Sequence, residues 1–169
     1  MNKKTLLIVA LTITTGILLL IISRKEPHSV QKKTAEDEMP DFKFQLIDGA
    51  FIQASDMDGE KYTLLWFFNP GCDICIREVQ VLTDSISLLD NCQIVLISYE
   101  DFPVVSAFYE QFQLQDFPAI QVAYTSVEYV FNMFKIYAIP TLYVYHPDRR
   151  MIKYKPGPVT IQEIVEYLK

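Results

Sequence analysis

The chain is poor in cysteine, histidine and positive charge, and each shortage excludes something. Three cysteines in 169 residues are too few for a disulfide-stapled scaffold. The only histidines are His28 and His146. A cysteine pair would need two further ligands to hold zinc, so a metal site is not expected. Lys and Arg number 15 against 21 Asp and Glu, a net charge of −6. No basic aromatic patch reverses that balance, so nucleic acid is not an expected partner. No cofactor is expected either.

What the chain has is apolar mass. Half of its residues, 50%, are hydrophobic. With an N-terminal segment set aside, enough remains for one domain with its own core. That segment, residues 6–22, carries no charge and is apolar apart from three threonines and one glycine. Lys3 and Lys4 precede it; Arg24 and Lys25 follow. Its length is at the lower end of the roughly 17 to 25 residues that span a bilayer, and beyond the roughly 7 to 15 of a secretory h-region. No small-x-small cleavage site follows, and no cysteine lies near to carry a lipid. The expectation is an uncleaved single-pass signal anchor over residues 1–23. A polar, flexible tether follows over 24–40. Charge alone does not orient the anchor, because both flanks carry Lys or Arg. A short N-terminus before a folded domain, and a cysteine pair suited to a compartment where disulfides persist, place the domain outside the cytoplasm.

The most informative stretch is Cys72-Asp73-Ile74-Cys75. Ahead of it, Tyr62-Thr63-Leu64-Leu65-Trp66-Phe67-Phe68 is long enough for one buried strand. Asn69-Pro70-Gly71 breaks that run. A helical stripe then follows at steps of four and three: Cys75, Val79, Leu82, Ile86 and Leu89. Two cysteines separated by two residues at a helix start suit reversible disulfide chemistry. Backbone N–H groups and the helix dipole favour the first thiolate. The third cysteine, Cys92, opens the apolar run Ile94-Val95-Leu96-Ile97 and reads as a small core hydrophobe.

The remaining pattern is α/β. Residues 42–47 and 50–54 read as two short strands about Asp48-Gly49. Residues 93–98 form the next buried strand. Asp101 caps a helix with Pro103 in its first turn, and Val105, Phe108 and Phe112 form its apolar face. Residues 119–123 suggest a short strand, and Ser126 caps a helix carrying Val127, Val130, Phe131 and Phe134. Residues 141–145 and 151–155 flank Pro147-Asp148 as a hairpin. Thr160 and Glu163 form a capping box for a last helix with Ile161, Ile164, Val165 and Leu168. This order implies a mixed central sheet with helices on both faces.

With these residues in view, the chain over residues 41–169 resembles the thioredoxin-like superfamily. It is most similar to the membrane-anchored, extracytoplasmic thiol–disulfide oxidoreductases of the TlpA/ResA type. The resemblance rests on the anchor and strand pair, the passage from Leu64 through Cys72 to Cys75, the Ile139-Pro140-Thr141 turn, and the closing hairpin and helix. It implies that Cys72 attacks, forming a mixed disulfide with a partner protein, and that Cys75 resolves it. It implies a cis Pro140 facing the cysteines, although only about 5% of X–Pro bonds are cis. It also implies that Glu78, one turn beyond Cys75, exchanges a proton with that thiol. The plain alternative for Glu78 is a solvated helix residue. Protein dithiols and disulfides are the implied substrates, with a membrane or soluble electron donor.

Two departures stand out. Gly71 replaces the tryptophan usual before the first cysteine, and Trp66 occupies the thioredoxin position of a buried acid. Asp73 is expected to oppose the Cys72 thiolate and raise its pKa, which favours a reductase or mid-potential exchanger. Other readings use the same fold. A peroxiredoxin-like peroxidase needs Thr-x-x-Cys, and Asn69 stands where that threonine would be. A copper carrier would need His146 near the cysteines. A tethered interaction domain would not need the cysteines.

Overall fold

The computed structural model of the chain describes Asn2 and residues 38–169. The expected anchor at 1–23 and most of the tether at 24–40 lie outside the described residues. Among the described residues, no helix is long and apolar enough to cross a membrane. The packed chain begins ahead of Asp41. Glu38 bridges to Arg150, the Met39 N–H donates to the Arg149 carbonyl at 2.9 Å, and Met39 is buried.

Seven strands form one sheet: β1 (Lys43–Leu46), β2 (Phe51–Gln53), β3 (Tyr62–Phe67), β4 (Cys92–Ser98), β5 (Ile120–Tyr124), β6 (Thr141–Tyr145) and β7 (Met151–Pro156). Their spatial order is β2-β1-β5-β4-β3-β6-β7. β3 runs parallel to β4, and β4 to β5, while β1, β6 and β7 join antiparallel. The expected mixed sheet is therefore present. The first turn forms as its sequence suggests: Gly49 takes φ +88°, and the Asp48 carboxylate accepts the Ala50 N–H at 2.9 Å.

β3 is apolar at nearly every position because both faces of the sheet are covered. Successive side chains alternate between faces. Leu64 and Trp66 pack on one side, with α1 (Asp73–Asp84), α2 (Phe102–Gln111) and α4 (Ile161–Tyr167). Leu65 and Phe67 pack on the other, with α3 (Val127–Phe134), Met39, Phe42 and Phe44. Each such buried side chain contributes roughly 1.5–3 kcal/mol of transfer free energy. The capping box of α4 is formed: Thr160 Oγ1 accepts the Glu163 N–H at 3.2 Å, and Glu163 Oε2 accepts the Thr160 N–H at 2.8 Å.

Three local expectations need correction. The stripe from Cys75 to Leu89 is not one helix. α1 stops at Asp84, and Ile86–Leu89 form a separate 3-10 turn that still buries Leu89. Asp101 starts α2 without a side-chain cap; its carbonyl instead accepts the Val104 and Val105 N–H groups at 3.0 and 3.2 Å. On α3, Val130 and Phe134 are buried in the core, whereas Val127 and Phe131 are exposed.

The topology decides which residues can meet. The chain leaves β3 at Phe67 toward α1, and β6 enters antiparallel with Thr141 opposite Phe67. Residues just after β3 and residues just before β6 therefore share one edge of the sheet.

Candidate active site

At that edge the chain turns sharply. Phe68 still follows the sheet, its N–H donating to the Ile97 carbonyl at 2.9 Å. Asn69 then organises the turn. Its Oδ1 accepts the Gly71 N–H at 2.7 Å, its Nδ2 donates to Glu100 Oε1 at 2.6 Å, and its carbonyl accepts the Cys72 N–H at 3.0 Å. Cys72 is the N-cap of α1, and its Sγ accepts the Cys75 N–H at 3.4 Å. A thiol thus fills the position usually held by Ser, Thr or Asp.

Cys72, Cys75 and Cys92 are free thiols, and their surroundings differ. Burial opposes ionisation of the half-buried Cys72. Hydrogen bonds from Cys75 and the N–H of Ile74 outweigh it, and the thiol lies below its ordinary value despite the Glu78 charge. The expected rise from Asp73 does not occur. Asp73 is exposed, where water and salt screen it, and the helix-start N–H groups dominate. Cys75 is 1% exposed. Burial pushes its thiol from 9.0 up to about 12, helped by Cys72 and Glu78 and opposed by the Asn69 backbone N–H.

Glu78 is buried in the structure, not solvated. Its Oε1 accepts the Val159 N–H at 2.7 Å, while Oε2 has no hydrogen-bond partner. Burial raises its pKa; the Val159 N–H, the Trp66 indole and Lys155 oppose this. The indole acts here without a hydrogen bond of standard geometry. A groove of about 420 Å³ runs alongside, lined by Trp66, Ile74, Glu78, Val81 and Val159 among others. Trp66 therefore sits beside an acid supplied by the neighbouring helix.

The Ile139–Pro140 bond is cis, and the Pro140 carbonyl accepts the Gly157 N–H at 2.8 Å. The 157–159 segment thus bonds to Pro140 at one end and to Glu78 at the other. Cys72, Cys75, Glu78 and Pro140 are brought to one edge of the sheet. Cys92 is elsewhere: it pairs with Tyr62, at the opposite end of β3. Burial and Asp90 push its thiol up to about 12. His146 is also remote. Its ring packs edge-on to Tyr62, and its Nδ1 lies 2.9 Å from Asp148, so the ligand set of a copper carrier is not assembled. Among the described residues, no group of three or more His, Cys, Asp or Glu could hold a metal ion.

Sequence reasoning missed Glu100 and Val159. Glu100 follows β4 with no spacing relation to the cysteines, and Val159 acts through its backbone.

The sheet, the dithiol at a helix start and the proline turn across from it define a thioredoxin-like domain. Solved structures have the same fold. A secreted Mycobacterium tuberculosis disulfide oxidoreductase homologous to E. coli DsbE is 17% identical, with TM-score 0.64, covering 76% of this chain and 94% of that one. StoA from Bacillus subtilis is 20% identical, with TM-score 0.62, covering 77% and 97%. The chain belongs to the AhpC/TSA family, whose model matches residues 35–154. In sequence it is similar to the thiol-disulfide oxidoreductase ResA of Oceanobacillus iheyensis, 26% identical over 168 residues, 95% of this chain and 84% of the relative.

Proposed function

We propose that the protein is a thiol–disulfide oxidoreductase that exchanges disulfides of other proteins outside the cytoplasm, anchored by residues 1–23. The observation that carries this reading is the contrast within one helical turn. Cys72 is accessible with a lowered pKa, and Cys75 is buried and held up at about 12. The similarity to ResA supports it.

The chemistry follows from that contrast. The Cys72 thiolate attacks one sulfur of a client disulfide. The client S–S bond breaks, a Cys72–client disulfide forms, and the other client sulfur leaves as thiolate. Cys72 then carries no charge, which removes one cause holding the Cys75 thiol up. Glu78 takes the Cys75 proton, and the Cys75 thiolate attacks Cys72 sulfur. The Cys72–Cys75 disulfide forms and the second client thiolate leaves, so two electrons have passed to the client. A dithiol donor, membrane-bound or soluble, restores the pair. Pro140 shares the sheet edge from which Cys72 and Cys75 emerge, and we assign to it the place where an extended client segment passes.

Asp73 does not make Cys72 a weak oxidant by raising its pKa, since that pKa is lowered. A stabilised thiolate favours the reduced form, and buried Glu78 opposes it. We place the couple between thioredoxin at about −270 mV and a strong oxidant at about −120 mV. Equilibration in glutathione or dithiothreitol buffers, with thiols trapped and read by mass, tests this. A reversible two-electron couple lost in Cys72→Ser and in Cys75→Ser is expected; a pair that never cycles refutes the reading. Location is tested by labelling Cys72 in intact cells with a membrane-impermeant maleimide, and failure to label contradicts an outside domain. The family match favours one second reading, a thiol peroxidase. Asn69 in place of threonine argues against it, and consumption of hydrogen peroxide by the reduced protein would support it.

A further inference from the structure

We infer that Glu100 is a positioning residue for Cys72: it orients the Asn69 amide, which holds the 69–72 turn that presents the thiol. This deepens the proposed function and rests on Cys72 being the reactive group.

The two ends of the Asn69 amide have different partners. Nδ2 donates to the Glu100 carboxylate at 2.6 Å, and Oδ1 accepts the Gly71 N–H at 2.7 Å. Only one orientation satisfies both. In the flipped amide, an oxygen would face the carboxylate and an N–H₂ would face an N–H. A carboxylate acceptor also makes the stronger bond of its kind. Glu100 therefore fixes which end of Asn69 meets the turn.

The turn is built around that end. A Cβ at Gly71 would lie 3.3 Å from Asn69 Oδ1, a tight approach. The absence of a side chain at 71 and the amide contact thus belong together. Asn69 also reaches both cysteines through its backbone. Its carbonyl accepts the Cys72 N–H at 3.0 Å, and its N–H favours the Cys75 thiolate. Glu100 has a firm base for this task. Its N–H donates to Ser98 Oγ at 3.2 Å, at the end of β4, and β4 pairs with β3 in register Ile97 to Phe67.

Charge and position predict opposite signs, which makes the inference testable. An acid near Cys72 disfavours the thiolate by Coulomb repulsion. Removing Glu100 would then speed thiol chemistry. If Glu100 works by orienting Asn69, removing it slows that chemistry. The other charges around Cys72, those of Asp73, Arg77 and Glu78, are kept in every variant.

The experiment is the pH dependence of Cys72 alkylation by iodoacetamide in the reduced full chain, read by peptide mass. It compares wild type with Glu100→Ala, Glu100→Gln and Asn69→Ala. Glu100→Ala and Asn69→Ala are expected to slow alkylation at neutral pH by roughly three- to tenfold, the factor carried by one hydrogen bond of ordinary strength. Their midpoints should move to higher pH. Glu100→Gln keeps an acceptor oxygen for Nδ2 and should stay within about twofold of wild type by the same logic. Faster alkylation in both Glu100 variants, or no change in either alanine variant, overturns the inference. Cys75 and Cys92 report on folding in the same samples. They stay protected when only the turn is lost, and a variant in which all three react alike is unfolded and counts against a positioning role. No client enters this assay. A protein that exchanges no disulfide yet shows the pattern refutes the proposed function alone, and one that exchanges disulfides without it refutes this inference alone.

Discussion

Treating the reduced protein with iodoacetamide at pH 7 should modify Cys72 far ahead of Cys75. The size of the gap follows from their surroundings. A thiol at 9.0 is about one-hundredth thiolate at pH 7, and one at about 12 is about one hundred-thousandth. Cys72 lies below 9.0 and Cys75 at about 12. The populations of the reactive form thus differ by at least roughly a thousandfold. Part of this is returned, because a thiolate of higher pKa is a better nucleophile. With a sensitivity of about 0.4–0.5, three powers of ten in acidity return a factor of roughly 15–30. A ratio of at least about thirtyfold remains, before the 1% exposure of Cys75 slows access further. The assay is timed quenching followed by peptide mass mapping of both cysteines, with Cys92 as a second buried thiol in the same sample. Cys75 reacting at one-tenth of the Cys72 rate or faster would refute the reasoning.

Glu78, its carboxyl pKa raised by burial, stabilises the fold fully below the ordinary carboxylate value, and this contribution is lost as pH rises through the raised value. Glu78→Gln, which mimics the neutral acid, should therefore melt higher than wild type at neutral pH and alike in acid; a lower neutral melting temperature contradicts it. Cys75 and Cys92, both near 12 in the fold, should cost stability once an unfolded thiol can ionise. Each removes about 1.4 kcal/mol per pH unit above about pH 9, and urea titrations of Cys92→Ala should show a shallower alkaline decline than wild type. Leu64→Ala, at a site fully buried against α1 and α4, should lose about 2–5 kcal/mol in urea unfolding. Phe131→Ser, on the exposed face of α3, removes the edge-on ring contact with Tyr137 and should cost about 0.5–1.5 kcal/mol in the same assay.

The elements were legible where one physical cause acted alone. β3 could be read from its apolar run because both faces are covered, and α4 from Thr160 and Glu163 because a capping box is local. α3 misled because Val127 and Phe131 match the helical period without facing the core; periodicity marks apolar residues and not what covers them. α1 misled for a related reason. The 3-10 turn after Ser85 returns Leu89 to the same core, so the stripe outlives the helix. At the site, Cys72 and Cys75 were legible from spacing and the preceding strand. The burial of Glu78 was not, since it depends on the 157–159 segment folding over α1. Asp73 misled because adjacency in sequence carries no information about screening. Glu100 was invisible for the same reason that it matters: its relation to Asn69 exists only through the pairing of β3 with β4.

The two strands that end the sheet bear on how this domain behaves in a crowd. β2 is three residues long, too short to template a neighbour. β7, at the other end, carries Lys153, Lys155 and Pro156, and cations and proline on an edge discourage edge-to-edge pairing. The central strands, rich in the sequence that aggregates when exposed, are enclosed between these two. Copies of the domain held close together, as on a shared surface, are thereby kept from zipping into a continuous sheet. They stay free to present the Cys72 edge separately.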